Sequence, residues 1–306
     1  MGHSHNHAGH GGIERRFLLS LALTGLIFAA ELVGGLLTRS LALLSDAAHV
    51  FLDVFALALS YVAIRLTTLP PNDRHTYGYH RLRVLAALVN GATLLVVAFE
   101  IFREAIKRFS DPEPILAGPM LVVAVIGLVV NLVVAFVLRG HDHEDLNVRS
   151  AFLHVLGDAL ASVGVIIAGV VIILTGWTLV DPVISIVIGV IILLGSGNVL
   201  RRSVHILVEG VPRGLTATEV AESMNGVSGV SEVHDLHVWT VSPEYIALSA
   251  HVVLDDQSLS EAQGILEDLE TTLSEQFGID HTTIQVECQS CVEGTIVCPY
   301  EVNDHG

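Results

Sequence analysis

Residues 121–138 read LVVAVIGLVVNLVVAFVL, an apolar run in which Asn131 is the single polar side chain. A helix needs about 20 predominantly apolar residues to cross the hydrocarbon core of a bilayer. The run therefore predicts a transmembrane helix, placed at residues 116–138. A mean hydropathy of +0.64 is likewise too apolar for an ordinary soluble domain.

Five further apolar segments flank this run. The six predicted spans cover residues 16–37, 41–65, 82–107, 116–138, 149–174 and 180–200. With a cytoplasmic N-terminus, ten Lys and Arg residues fall near the inner face and four near the outer face. Positive residues concentrate on the cytoplasmic side of membrane proteins, so both termini are predicted to be cytoplasmic.

The charge distribution divides the chain into two parts. Residues 1–202 carry 14 acidic and 14 basic residues, whereas residues 203–306 carry 18 acidic residues and one basic residue. A nucleic-acid partner is not expected for the acidic part, because phosphate contacts need clustered Lys and Arg.

The acidic part shows the periodicity of a small folded domain. Helical patterns at 216–225 and 258–277 and strand-like alternation at 233–241, 245–254 and 282–287 predict the order αββαβ. The predicted organisation is therefore a disordered His-rich tail (1–12), a six-helix transmembrane domain (13–202), an α+β cytoplasmic domain (203–290) and a C-terminal tail (291–306).

Two matching pairs of metal-ligand side chains lie within predicted spans. His49 and Asp53 share the second span, and His154 and Asp158 share the fifth. A four-residue spacing puts both side chains of a pair on one face of a helix. A charge near the bilayer centre costs at least ~2.5–3.5 kcal/mol, so the carboxylates need a compensating partner such as a divalent cation. Two imidazoles and two carboxylates match tetrahedral Zn²⁺, whereas Mg²⁺ and Ca²⁺ prefer oxygen shells.

These motifs belong to a wider pattern. Ser45-Asp46-Ala47-Ala48-His49 with Asp53, then Tyr77-Gly78-Tyr79-His80-Arg81, then His154 with Asp158, resemble the cation diffusion facilitator family in its zinc/cobalt/cadmium-resistance and zinc-transporter branch. The resemblance covers nearly the whole chain. It implies a six-helix transmembrane bundle, a ferredoxin-like cytoplasmic domain, and a homodimeric metal/proton antiporter of a bacterial or archaeal cell membrane. The implied transport site is His49, Asp53, His154 and Asp158.

The resemblance also implies secondary sites. A regulatory zinc site in the cytoplasmic domain would draw on His234, His251, His281, Glu287, Cys288 and Cys291. A loop site would use Asp73, His75 and His80, although Tyr79 stands where related proteins with this site have a ligand His. Arg81 is implied to pair with Glu209 and join the membrane and cytoplasmic parts, with an unpaired Arg at the membrane interface as the equal alternative.

Metal binding requires neutral imidazole and ionised carboxylate, so metal and protons compete for the same groups. The predicted function is proton-coupled Zn²⁺ efflux by alternating access, with Co²⁺, Cd²⁺ or another divalent ion as the alternative main substrate. A passive channel differs from this prediction only in lacking proton coupling. An intramembrane metalloenzyme is not expected, because no span contains a His-Glu-x-x-His motif. A membrane-bound metal sensor would leave the paired motifs in the spans unexplained.

Overall fold

The computed structural model describes residues 10–139, 146–243, 245–289 and 296. Within these ranges, side chains are described except at residues 10–22, 57, 137–139 and 146–154. The first six elements are the helices α1 (His10–Thr38), α2 (Leu41–Thr67), α3 (Arg81–Ser110), α4 (Ala117–Arg139), α5 (Leu146–Thr175) and α6 (Val180–Leu207). All six predicted spans are therefore helical.

The helix ends differ most from the prediction at the start of α1 and at the end of α6. Helix α1 begins at His10, inside the predicted disordered tail, and α6 continues to Leu207. Backbone hydrogen bonds carry both helices beyond the apolar runs on which the prediction was based. Residues 1–9 of the predicted tail and most of residues 291–306 lie outside the described ranges.

Helices α2 to α6 are each long and apolar enough to cross a membrane, judged over the residues described, and Leu23–Thr38 of α1 forms a shorter apolar segment. Their outward surfaces carry large aliphatic and aromatic side chains. Phe136, Leu174 and Leu194 are 78%, 77% and 70% exposed. Such a surface suits hydrocarbon, because lipid tails are as apolar as the side chains themselves.

The chain forms two compact units, the first being Met1–Val62 with Val89–Leu200. Its core combines buried residues from α2 to α6, including Leu43, Met120 and Val165. Helix α4 packs closely against α1, where a Cβ on Gly34 would lie 2.8 Å from Val123 Cγ2. Small residues permit such close approach between membrane helices.

The second unit comprises Ala63–Leu88 and Arg201–Gly306. It contains α7 (Ala217–Asn225), β1 (Val230–Ser242), β2 (Tyr245–Leu254), α8 (Leu259–Phe277) and β3 (His281–Glu287), in the predicted αββαβ order. The sheet order is β1-β2-β3, with β1 and β2 antiparallel and β2 and β3 parallel. Helix α8 is the crossover that a parallel strand pair requires.

Local sequence explains where α7 and α8 begin and where α8 ends. Thr216 with Glu219 and Ser258 with Glu261 form reciprocal capping boxes at the starts of α7 and α8. Gly278 ends α8 with φ +64°, a left-handed conformation that glycine adopts without steric cost. Buried side chains from both helices and from β1 and β2 fill the core beneath the sheet.

The division of the chain by contacts differs from the division by sequence in where it places the segment Ala63–Leu88. The sequence-based division includes it in the membrane domain (13–202), whereas its contacts group it with the C-terminal unit. Hydropathy follows the solvent that each residue prefers, and contacts follow packing partners. The end of α2, the loop after it and the start of α3 therefore belong to the second compact unit.

Candidate metal centres

Helices α2 and α5 bring three of the predicted transport-site residues together. His49 Nε2 lies 3.7 Å from Asp53 Oδ2 on the same helix and 3.7 Å from Asp158 Oδ1 on α5. The ligand atoms of these three residues all lie within 4.8 Å of one another. Ligands at ~2.0–2.1 Å around tetrahedral Zn²⁺ are separated by about 3.3 Å, so small side-chain movements would bring these three residues to that spacing.

His154 is the fourth residue of the predicted set. It lies on α5, four residues before Asp158, but its side chain is outside the part of the structure that is described. The helical backbone keeps the spacing that places the two residues one turn apart. A fourth ligand from His154 therefore stays a prediction.

Two members of this cluster, His49 and Asp158, line a cavity of about 620 Å³ within the first unit. Helices α2, α3, α5 and α6 line the cavity, and His49 and Asp158 are its ionisable lining residues. Most other lining side chains are aliphatic, including Leu94, Ile184 and Ile188. Apolar surroundings strengthen the attraction between such ligands and a cation relative to water.

A buried carboxylate on α6 fixes the start of α2. Asp181 is fully buried, and its oxygens accept hydrogen bonds from Ser40 Oγ and from the backbone N–H groups of Leu41 and Ala42. Arg108 Nη1 lies 3.5 Å from Asp181 Oδ2. The first N–H groups of a helix have no acceptor within the helix, and Asp181 provides that acceptor for α2. Helix α2 is thereby held two turns before His49.

A second cluster lies on the sheet of the cytoplasmic domain. His234 of β1 and His251 of β2 are paired across the strands, with ring centroids 5.3 Å apart. Glu287 at the end of β3 completes the group: its Oε1 is 3.0 Å from His251 Nδ1 and its Oε2 is 3.3 Å from His234 Nε2. Within the described residues, neither of the buried ring nitrogens of His234 has a hydrogen-bond partner. These three residues form the second metal-ligand group within the described ranges.

Asp235 lies next to this cluster although the sequence did not single it out. Strict alternation would place it on the opposite face from His234. The pairing of β1 with β2 is shifted between His234 and His237, and Asp235 has φ +47°. This bulge puts Asp235 Oδ1 3.2 Å from His237 Nε2 and Asp235 Oδ2 3.8 Å from His251 Nε2. Asp235 therefore reaches a ligand candidate from the side opposite to Glu287.

Two other residues predicted for this site, His281 and Cys288, do not join the cluster. His281 pairs with Ala247 at the far end of β3, six residues before Glu287, which corresponds to about 20 Å along a strand. Its ring instead lies 5.4 Å from Tyr77 and 5.6 Å from Tyr245. Cys288 follows β3 and is exposed, and Cys291 lies outside the described residues.

The loop between α2 and α3 does not assemble its predicted ligands. His75 stacks on Tyr79 at 4.6 Å, whereas His80 faces Tyr245 at 5.3 Å. Among the residues described, Asp73, His75 and His80 form no group of converging ligand atoms. The ring contacts explain the difference, because each imidazole packs on a different aromatic neighbour. Burial, and then the neighbouring Tyr77, raise the pKa of Tyr245 within this ring cluster.

The predicted ion pair between Arg81 and Glu209 is present. Arg81 Nη2 donates a hydrogen bond of 3.0 Å to Glu209 Oε1. Glu209 follows α6 with φ +62°, the left-handed conformation common after helix ends. The pair thus connects the first residue of α3 with the turn after α6, both within the second compact unit. The predicted role of this pair in joining the membrane and cytoplasmic parts stays a prediction.

A chain with six apolar helices, a charged ligand cluster inside them and an αββαβ domain after them has the architecture of a multi-pass metal transporter. Residues 17–208 match the cation efflux transmembrane domain, and residues 212–289 match the cytoplasmic domain of cation efflux proteins. The chain belongs to the cation efflux family, whose members are cation diffusion facilitators, as the resemblance in the sequence implied.

Bacterial relatives match over nearly the full chain. A cadmium, cobalt and zinc/H⁺-K⁺ antiporter of Bacillus subtilis is 41% identical over 293 residues, covering 95% of this chain and 93% of the relative. The zinc transporter ZitB of Escherichia coli K12 is 40% identical, covering 95% and 94%. The metal cation efflux protein CzcD of Cupriavidus metallidurans is 41% identical, covering 95% and 91%.

One solved structure, a metal-bound C-terminal domain of the CzcD transporter, is 34% identical and covers 24% of this chain and 99% of its own length, with a TM-score of 0.22.

Proposed function

We propose that this protein exports divalent metal ions, with Zn²⁺ as its main substrate, in exchange for protons. The observation that carries the proposal is the convergence of His49, Asp53 and Asp158 inside the apolar helices, with ligand atoms within 4.8 Å of one another. Separating such groups from water is costly unless a cation or a partner compensates them. His154, one turn before Asp158, would supply the fourth ligand.

The chemistry of the ligands supports zinc over the abundant alkaline-earth ions. Imidazole nitrogen with carboxylate oxygen is a common zinc-binding set, whereas Ca²⁺ and Mg²⁺ take mainly oxygen. Co²⁺ and Cd²⁺ accept the same donors, and the Bacillus subtilis relative is named for cadmium, cobalt and zinc. These two ions are therefore the alternative main substrates.

Proton exchange follows from the protonation that binding requires. Neutral imidazole and ionised carboxylate bind the metal, so loading the site displaces protons and protons displace the metal. A site that opens alternately to the two sides would then carry metal outward and protons inward. The bundle would lie in the bacterial cell membrane with both termini in the cytoplasm.

The cluster of His234, His251 and Glu287 is the basis for a regulatory role of the cytoplasmic domain. We propose that it binds Zn²⁺ from the cytoplasm and stabilises a homodimer through this domain. A protein that acted only as a membrane-bound sensor would need this cluster alone. The ligand cluster within the helices favours transport as the main activity.

The test is transport by purified protein in liposomes that contain a zinc-sensitive dye. Zinc flux should rise when a proton gradient of the opposite direction is imposed. H49A should reduce flux to the protein-free background, whereas E100Q, which changes an exposed carboxylate on α3, should retain it. Flux that ignores the proton gradient would refute antiport, and flux retained in H49A would remove His49 from the site.

A further inference from the structure

Two carboxyl groups inside the bundle take no part in the three-residue ligand cluster. Glu31 of α1 and Asp46 of α2 are each 1% exposed. Glu31 Oε2 and Asp46 Oδ1 have no hydrogen-bond partner within the described part of the chain. Buried carboxylates are ordinarily paired or hydrogen-bonded, because moving a charge out of water is unfavourable. The three metal ligands therefore do not explain how the cost of burying these two carboxyl groups is offset.

Helices α4 and α5 complete the surroundings of these carboxyl groups. Ser162 Oγ of α5 donates a hydrogen bond of 3.5 Å to Asp46 Oδ2. A Cβ on Gly127 of α4 would lie 2.7 Å from Glu31 Oε1 and 3.6 Å from Ser162 Oγ. Glu31 thus occupies space that exists because position 127 has no side chain. Residues of four helices therefore surround these two carboxyl groups.

The charged groups that face Glu31 and Asp46 are acidic. Asp46 and Asp158 are the charged neighbours of Glu31, and Asp158 and Asp53 are those of Asp46. Gly127 of α4 and Ser162 of α5 contribute no charge. The buried Arg108 pairs with Asp181 and Glu104 instead. Over the residues whose side chains are described, no Lys or Arg forms an ion pair with Glu31 or Asp46.

We propose that Glu31 holds a proton while the transport site lacks metal, and releases it when a divalent cation binds at His49, Asp53 and Asp158. With the site empty, the surrounding carboxylates disfavour a further negative charge on Glu31. A bound dication reverses that field and favours the ionised carboxylate. The Glu31 O–H bond is the bond that breaks, and the proton passes to solvent.

A proton fits this pocket better than a second metal ion. Within the described ranges, Glu31 and Asp46 are not part of any group of three converging metal-ligand side chains. A proton needs one carboxyl oxygen and no coordination shell. The inference rests on the proposed function, because it adds a proton acceptor outside the metal ligands to the proposed metal/proton exchange.

The test counts protons released per zinc ion bound, using detergent-solubilised protein in weak buffer with a pH indicator. Every variant carries H234A and H251A, so that zinc at the cytoplasmic cluster does not contribute. E31Q should release about one proton fewer per zinc than its parent, and its zinc affinity should change less than tenfold. E100Q, the matched control on α3, should release as many protons as its parent.

A second variant keeps every ionisable group. G127A places a methyl group against Glu31 Oε1 and should shift the pH dependence of zinc binding while leaving the affinity at high pH unchanged. An unchanged proton count in E31Q, or loss of its zinc binding, would overturn the assignment of Glu31. If the parent itself binds no zinc at His49, shown by identical titrations in H49A, the proposed transport site fails instead.

Discussion

His49 Nε2 lies 3.7 Å from Asp158 Oδ1, although two complete helices separate α2 from α5 along the chain. The contact joins the two His-x-x-x-Asp motifs, each of which is a local feature of one helix. Its length is close to the ligand spacing of about 3.3 Å in a tetrahedral zinc site. The contact therefore connects the helix packing to the proposed chemistry.

Replacing Asp158 by Asn should abolish zinc transport and preserve the fold. The change keeps the side-chain shape and removes the charge that would bind the cation. Loss of even an outer-shell partner costs about 10–100-fold in metal affinity, so loss of a ligand should cost more. Zinc titration and liposome flux measure the effect, with E100Q as the control. Near-normal flux in D158N would show that Asp158 is not a ligand.

Asp181→Ala should destabilise the fold, unlike the change at Asp158, because the Asp181 carboxylate anchors the start of α2. It accepts hydrogen bonds from Ser40, Leu41 and Ala42 and faces Arg108. Removing one partner of a buried ion pair typically costs about 3–5 kcal/mol. Thermal unfolding in detergent should therefore show a much lower midpoint for D181A than for D158N. Equal midpoints would contradict the anchoring role.

Zinc stoichiometry should fall by about one ion per chain when His234 and His251 are both replaced by Ala, since metal binding needs several converging ligands. Equilibrium dialysis of the full-length protein measures the bound metal. His281→Ala is the matched control, because His281 lies at the opposite end of β3 from Glu287. If H281A loses the ion as well, the cluster described for the single chain is incomplete.

Exchanging the charges of Arg81 and Glu209 tests their pairing. R81E alone should slow transport by placing two acidic groups together, and R81E/E209R should restore it. The side chains are 44% and 62% exposed, so the pair itself should contribute no more than about 1 kcal/mol to stability. The effect of R81E should weaken at high salt, because screening reduces repulsion between exposed charges. If transport by R81E/E209R stays as slow as that by R81E, the ion pair is not what transport requires.

Acid should reduce the contribution of the capping box at α8. Hydrogen bonds from the Ser258 hydroxyl and then its N–H lower the pKa of Glu261. A lowered pKa in the folded state stabilises above the unfolded pKa, and this stabilisation disappears as pH falls through the folded value. S258A should therefore speed amide hydrogen exchange in α8 severalfold at neutral pH, with a smaller ratio in acid. A ratio independent of pH would contradict the linkage.

Much of the fold could be predicted because its signals are local. An apolar run such as residues 121–138 identifies a membrane helix from composition alone. Alternating residues identified β1 and β2, and the helical pattern at 258–277 identified α8. The spacing of His49 and Asp53 likewise required no information beyond one turn of helix.

Other features depended on packing between distant elements. The position of His281 was not predictable from its neighbours, because strand pairing decides which residues lie beside the end of β3. Asp235 was missed because a bulge in β1 breaks the alternation that the sequence implies. His75 and His80 were likewise predicted to converge as loop ligands, but their rings pack against two different tyrosines.

The amino-acid sequence by itself determined the six apolar helices, the αββαβ order and the four-residue spacing of each ligand pair. These properties arise from interactions between residues a few positions apart. The tertiary structure alone decided that Asp158 approaches His49, that Glu31 lies against Gly127, and that His234, His251 and Glu287 converge. Such contacts depend on how elements distant in the chain pack together, and helical or strand periodicity carries no information about that choice.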